Sequence, residues 1–190
     1  MAFRRGFKSS ARDLAKEIRA ELDIDSFDPL DVHTLAEWLA VPVISLSSME
    51  AEAPAVGHLL RVEREVFSAV TVFCGSRRTI VHNDGHAPVR QRSNISHELS
   101  HALLLHPPTP ALDDKGCRNW NQDIEDEANW LSGCLLVPEE AALEIARGRW
   151  TTTEVTRRFD VSPAMIQFRL NATGARTRVR RAAERGGKAA

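Results

Sequence analysis

The feature that most constrains this chain is His97-Glu98-Leu99-Ser100-His101, two imidazoles four residues apart with a carboxylate directly after the first. Side chains four apart stand one above the other on an α-helix. The stretch from about 93 to 106 is therefore expected to be helical, with both imidazoles on one face. From adjacent turns the pair can grip one metal ion, while Glu98 reaches a water held on it. A zinc ion lowers the pKa of such a water toward about 7 and polarises a carbonyl, and a neighbouring carboxylate can take the proton and return it to a leaving amine.

A zinc site of this kind needs a third protein ligand, and the acidic run Asp123, Glu125, Asp126, Glu127 begins 22 residues after His101. At about 100° per residue, with Ile124 at zero, Ala128, Leu131 and Leu135 fall on one apolar arc, which Cys134 and Trp130 extend. Glu127 lies on that arc, whereas Glu125, Asp126 and Asn129 fall outside it, toward water. A carboxylate pointed into a core is costly unless a cation meets it, so Glu127 is the expected third ligand, with Glu125 in reserve. The structural alternative for Glu127 is a buried ion pair, for example with Arg92.

The rest of the chain is an ordinary globular sequence. Its 190 residues, 43% hydrophobic with a net charge of -1, suffice for one core without disulfide or metal staples. Three scattered cysteines, Cys74, Cys117 and Cys134, fit a reducing, cytoplasmic setting. No signal-peptide pattern and no membrane-length apolar run is read. Amphipathic helices are expected over 11–22 and 31–40. Extended segments follow at 41–46, 57–62, 66–74 and 78–82, making a small, mostly antiparallel sheet. After Asn83-Asp84-Gly85 the pattern turns helical over 93–106, 122–136, 138–147, 153–159 and 163–172. The expected class is α+β, a zincin-like domain with the imidazole helix beside a small sheet and a C-terminal helical group. It is read as one domain over 1–173, with a basic flexible tail at 174–190, where six basic side chains face one acid. Within it, 153–172 resembles a helix-turn-helix, read mainly as packing beneath the catalytic part.

The stretch Arg90 to His101, then Glu127-Ala128-Asn129, then Leu135-Leu136-Val137-Pro138, resembles the ImmA/IrrE family of zinc metallopeptidases, with Ile80-Val81-His82-Asn83 preceding it. The resemblance runs from about residue 11 to 173. It implies His97 and His101 as Zn²⁺ ligands, Glu98 as the base and Glu127 as the third ligand. It also implies a substrate, a cognate helix-turn-helix repressor whose cleavage derepresses stress, mobile-element or defence genes. Within the family, the compact size is most similar to the CapP-type peptidases of anti-phage operons, which adds DNA damage and single-stranded DNA as signals and gives the basic tail a partner.

Two further residues are singled out. The chain has no Tyr to stabilise an oxyanion, and His82 is the leading substitute. Cys117, on a loop between His101 and Glu127, could place a thiolate on the zinc and hold the enzyme latent. The competing reading is a DNA-binding regulator whose zinc site is structural or vestigial, against which stands Glu98, a base that a structural site does not need.

Overall fold

The computed structural model describes residues 3–108 and 121–186. In chain order these form α1 Phe7–Glu21, α2 Val32–Trp38, β1 Val43–Ser45, α3 Val56–Arg61, β2 Ala69–Cys74, β3 Arg77–His82, α4 Pro88–Leu103, α5 Gln122–Leu136, α6 Glu139–Ala146, α7 Thr152–Phe159, α8 Pro163–Thr173 and α9 Ala175–Gly186. The class is the expected α+β. The chain divides into two compact units, Met1–Lys8 with Asp31–Ser132, and Ser9–Leu30 with Gly133–Ala190.

The first unit carries a three-stranded sheet of order β1-β3-β2. β2 and β3 form an antiparallel hairpin, Ala69 opposite His82 and Thr71 opposite Ile80, turning at Gly75, whose φ of 61° a side chain would disfavour. β1 joins the other side of β3 in parallel, Val43 opposite Ile80, so the sheet is mixed. α4 starts at Pro88, where the missing N–H costs nothing. It lies against β2 and β3 with Ile95 and Leu99 fully buried. That anchor fixes which way its opposite face looks. Leu46, Val56, Leu60 and Val81 form a second cluster, with Phe67 against it.

The segment 57–62, expected to be extended, is instead α3. Val56 and Leu60, four apart, are its buried apolar side chains, and that helical spacing outweighs the short apolar run. The start of 66–74 is a loop as far as Ser68, held by Asn83, whose Nδ2 donates to the carbonyls of Arg64 and Phe67 at 3.2 and 3.0 Å.

The second unit is helical. Val155 and Phe159 of α7 and Ile166 and Leu170 of α8 are buried. α7 opens on a capping box between Thr151 and Glu154, and α8 opens on Ser162 and Pro163. Two buried guanidinium groups serve the C-terminal end of α5: Arg19 Nη1 donates to the Leu135 carbonyl at 2.9 Å and Arg169 Nε to that of Val137 at 2.8 Å. The residues expected as a flexible tail are helical over Ala175–Gly186. α9 begins after Gly174 in the left-handed region, buries Ala175 and ties Arg178 to Glu139 at 2.5 Å. Its Ala- and Arg-rich composition favours helix once one end is fixed.

Candidate metal centre

On α4 the face opposite Ile95 and Leu99 carries His97 and His101, as their spacing requires. Their Nε2 atoms stand 3.0 Å apart. At that distance either one nitrogen donates to the other's lone pair or, with both protons on Nδ1, the two lone pairs face a shared cation.

The third group at this point is Glu125. Its Oε2 lies 3.1 Å from His97 Nε2 and its Oε1 3.7 Å from His101 Nε2. Zinc bonds of about 2.0–2.2 Å put the corners of a tetrahedron roughly 3.3 Å apart, and the three observed separations bracket that value. Two imidazole nitrogens and one carboxylate, on the half-buried side of two helices, are a donor set that fits zinc. The electrostatics agree. Burial alone pushes the Glu125 carboxyl up, but hydrogen bonds and charge from His101 and His97 outweigh it and bring it down to about 2. Burial lowers His97, and Glu125 with Glu98 more than reverses that, leaving it above the usual imidazole range.

Glu125 was expected to face water, and the reason it does not is visible on α5. Cover on that helix extends past the apolar arc: Glu125 is half-buried and Ser132 buried, while Asn129 between them is exposed, as expected. Glu125, Asn129 and Ser132 share a second stripe, and this stripe meets α4: Ser132 Oγ donates to Ser96 Oγ at 3.0 Å, and Asn129 Oδ1 accepts from His97 Nδ1 at 3.0 Å. Ser96 and Ser132 are both buried and small enough to let the helices cross there. Sequence reading missed Asn129 and Ser132, although their i+4 and i+7 spacing from Glu125 carried the signal, and with them Ser96 on α4.

Glu127 does lie in the interior, as its position on the apolar arc implied, but it is not grouped with the two imidazoles of the motif. Arg4 grips it with two parallel bonds, Nε to Oε1 at 2.7 Å and Nη2 to Oε2 at 2.9 Å. His106 Nε2 approaches Oε2 at 3.4 Å. The cation that offsets this buried carboxylate is therefore Arg4 and not Arg92. His106 also reaches back, its Nδ1 lying 2.9 Å from His101 Nδ1. Burial first, then the adjacent His101, holds His106 below the usual imidazole range.

Glu98 projects from α4 toward the sheet, where the Thr71 hydroxyl of β2 donates to its Oε2 at 2.5 Å. His82 ends β3, buried, and makes no hydrogen bond to His97, His101 or Glu98; its Nδ1 has no partner among the described residues. Burial lowers its pKa, with Asp84 opposing and His33 adding to the effect. Cys117 lies outside the described residues. Cys134 is buried and Cys74 exposed at the end of β2.

A family model for the IrrE N-terminal-like domain, Peptidase_M78, matches residues 53–171, more than half of the chain. The chain belongs to this family. No curated protein matches it. Peptidase_M78 is a metallopeptidase family, so a metal ion is implied, and the cluster of His97, His101 and Glu125 is compatible with one. The M78 match contains all three of those residues, with Glu98, Thr71, His106 and Glu127, whereas Arg4 lies outside it. Among the described residues no helix is long and apolar enough to cross a membrane.

Proposed function

We propose that this chain is a zinc-dependent endopeptidase in which His97, His101 and Glu125 hold the metal and Glu98 is the general base. The observation that carries the reading is the convergence of two Nε2 atoms and one carboxylate within bonding range of a single ion, next to a carboxylate that is not part of the group. The bound ion would polarise the scissile carbonyl and acidify water. Glu98 takes the proton from that water and delivers it to the leaving amine. Thr71 occupies Glu98 Oε2 as a donor, which fixes the carboxylate and leaves Oε1 for the proton. The same strand offers the substrate a track. Among the described residues β2 is an edge of the sheet, paired on one side only, and an extended peptide laid along it by backbone hydrogen bonds would pass beside Glu98.

The substrate implied by the family resemblance is a cognate helix-turn-helix repressor with an extended, cleavable segment, its destruction derepressing stress or defence genes. Purified repressor encoded beside this gene should be cut by wild type and left intact by Glu98→Gln at unchanged zinc content. Cleavage by that variant would remove Glu98 from the mechanism. Control is assigned to two devices. For Cys117, outside the described residues, the proposed role is that of a latent-state ligand, so Cys117→Ser should raise basal cleavage. The basic side chains of α9 take up single-stranded DNA, so activation should fall steeply with salt. The regulator alternative draws less support, since two basic side chains of the helix-turn-helix-like pair are already engaged: Arg169 in the interior at Val137, and Arg158 at Phe27 and Asp28.

A further inference from the structure

We propose that His106 and Glu127 are positioning residues of the metal site: a buried carboxylate–histidine–histidine relay, clamped by Arg4, that fixes the ring and tautomer of His101. The inference rests on the reading that His101 is a metal ligand. It assigns Glu127 a role other than that of a ligand.

If Nε2 of His101 serves the metal, it carries a lone pair there, and the ring's one proton sits on Nδ1. The atom 2.9 Å from that Nδ1 is Nδ1 of His106. It must then accept, which places the His106 proton on Nε2, and Nε2 faces Glu127 Oε2 at 3.4 Å. Each group thus has one donor and one acceptor in use, all in one direction, ending on a carboxylate that only accepts. His97 follows the same rule by a shorter route, its Nδ1 proton meeting Asn129 Oδ1 at 3.0 Å. Both ligand rings therefore present Nε2 inward and are held from behind through Nδ1.

Burial explains why the relay ends as it does. His106 and Glu127 are each 7% exposed, and a carboxylate so placed is costly without a cation. Arg4 supplies it from the N-terminal segment, which is itself held on α5: the Phe3 ring meets Trp130 edge-on at 5.1 Å and stacks on Phe7 at 5.4 Å, while Lys8 lies 4.4 Å over the Trp130 ring. The clamp joins residues 123 positions apart, and no feature of the motif itself calls for it.

The test uses the full chain, read by zinc affinity in chelator competition and by the visible spectrum of the Co²⁺-substituted protein. Wild type and Glu125→Ala come first. Binding by wild type and its loss in Glu125→Ala support the ligand assignment on which the relay rests. A wild type that takes up no metal overturns both. Against a wild type that binds, His106→Gln and Glu127→Gln should each weaken zinc about 10- to 100-fold and shift the Co²⁺ bands. Combined, they should cost little more than either alone, because they break one chain. In zinc-loaded wild type, imidazole ¹⁵N signals should show His101 protonated at Nδ1 and His106 at Nε2. A folded His106→Gln or Glu127→Gln protein with wild-type affinity and spectrum would overturn the relay alone, as would a His106 proton on Nδ1. Glu127→Gln losing zinc entirely while Glu125→Ala keeps it would make Glu127 the ligand and overturn the relay as well.

Discussion

Replacing Glu125 by Gln in the metal-free protein should cost stability in one pH window and little outside it. The carboxyl is held down to about 2 by the imidazoles, against an ordinary value of 4.5. At about 1.36 kcal/mol per unit, that gap corresponds to roughly 3 kcal/mol. The side chain is 20% exposed, so screening by solvent reduces the working figure to on the order of 2 kcal/mol. The direction follows from linkage. A depressed carboxyl contributes stability that is present above its unfolded pKa and is lost as pH falls toward 2. His97 is raised, so its contribution is present below about 6.5 and is lost as pH climbs through its folded value. The two overlap between about pH 4.5 and 6.5, where the carboxylate is charged and the imidazole protonated. Urea unfolding of wild type and Glu125→Gln, with chelator present from pH 3 to 8, should show a difference that peaks in that window and shrinks on both sides. A difference that is flat with pH, or that grows toward pH 8, would refute the claim that Glu125 faces the imidazoles.

Thr71→Val, which removes the donor on Glu98 Oε2, should leave zinc content unchanged and lower cleavage by several-fold to about tenfold, the effect of roughly 1 kcal/mol; wild-type kcat would mean Glu98 needs no such anchor. Leu99→Ala, at a fully buried position on the back of α4, should destabilise the fold by about 2–5 kcal/mol in denaturant titration while the folded protein still binds zinc; loss of affinity without loss of stability would contradict the separation of the two faces. Thr151→Ala should cost about 1 kcal/mol by breaking the capping box of α7, and an unchanged midpoint would show that the cap contributes nothing.

What could be read from the sequence, and what could not, divides along a physical line. Spacing within one helix is local, so the two imidazoles, their shared face and the carboxylate beside them followed from residues 97 to 101 alone. The start of α8 at Pro163 followed from the local sequence for the same reason, whereas α4 begins at Pro88, five residues before the stretch expected to be helical. Choosing between Glu125 and Glu127 required knowing which sides of α5 are covered. The apolar arc identified only one buried side, and the polar stripe that meets α4 looked like a solvated face. Thr71 reaches Glu98 only because the register of β2 on β3 brings it there. Arg4 reaches Glu127 only because Phe3 and Lys8 pack on Trp130. His106 was within reach of local reasoning, five residues beyond His101, but its purpose appears only when Glu127 is seen behind it.

The measurement that bears most directly on the account is anomalous diffraction at the zinc absorption edge from crystals of the wild-type chain. The account predicts one peak, bonded to Nε2 of His97, Nε2 of His101 and the carboxylate of Glu125, with Glu98 outside bonding distance and Glu127 still on Arg4. A peak bonded to Glu127 in place of Glu125, or crystals grown with zinc that show no peak at this cluster, would contradict it.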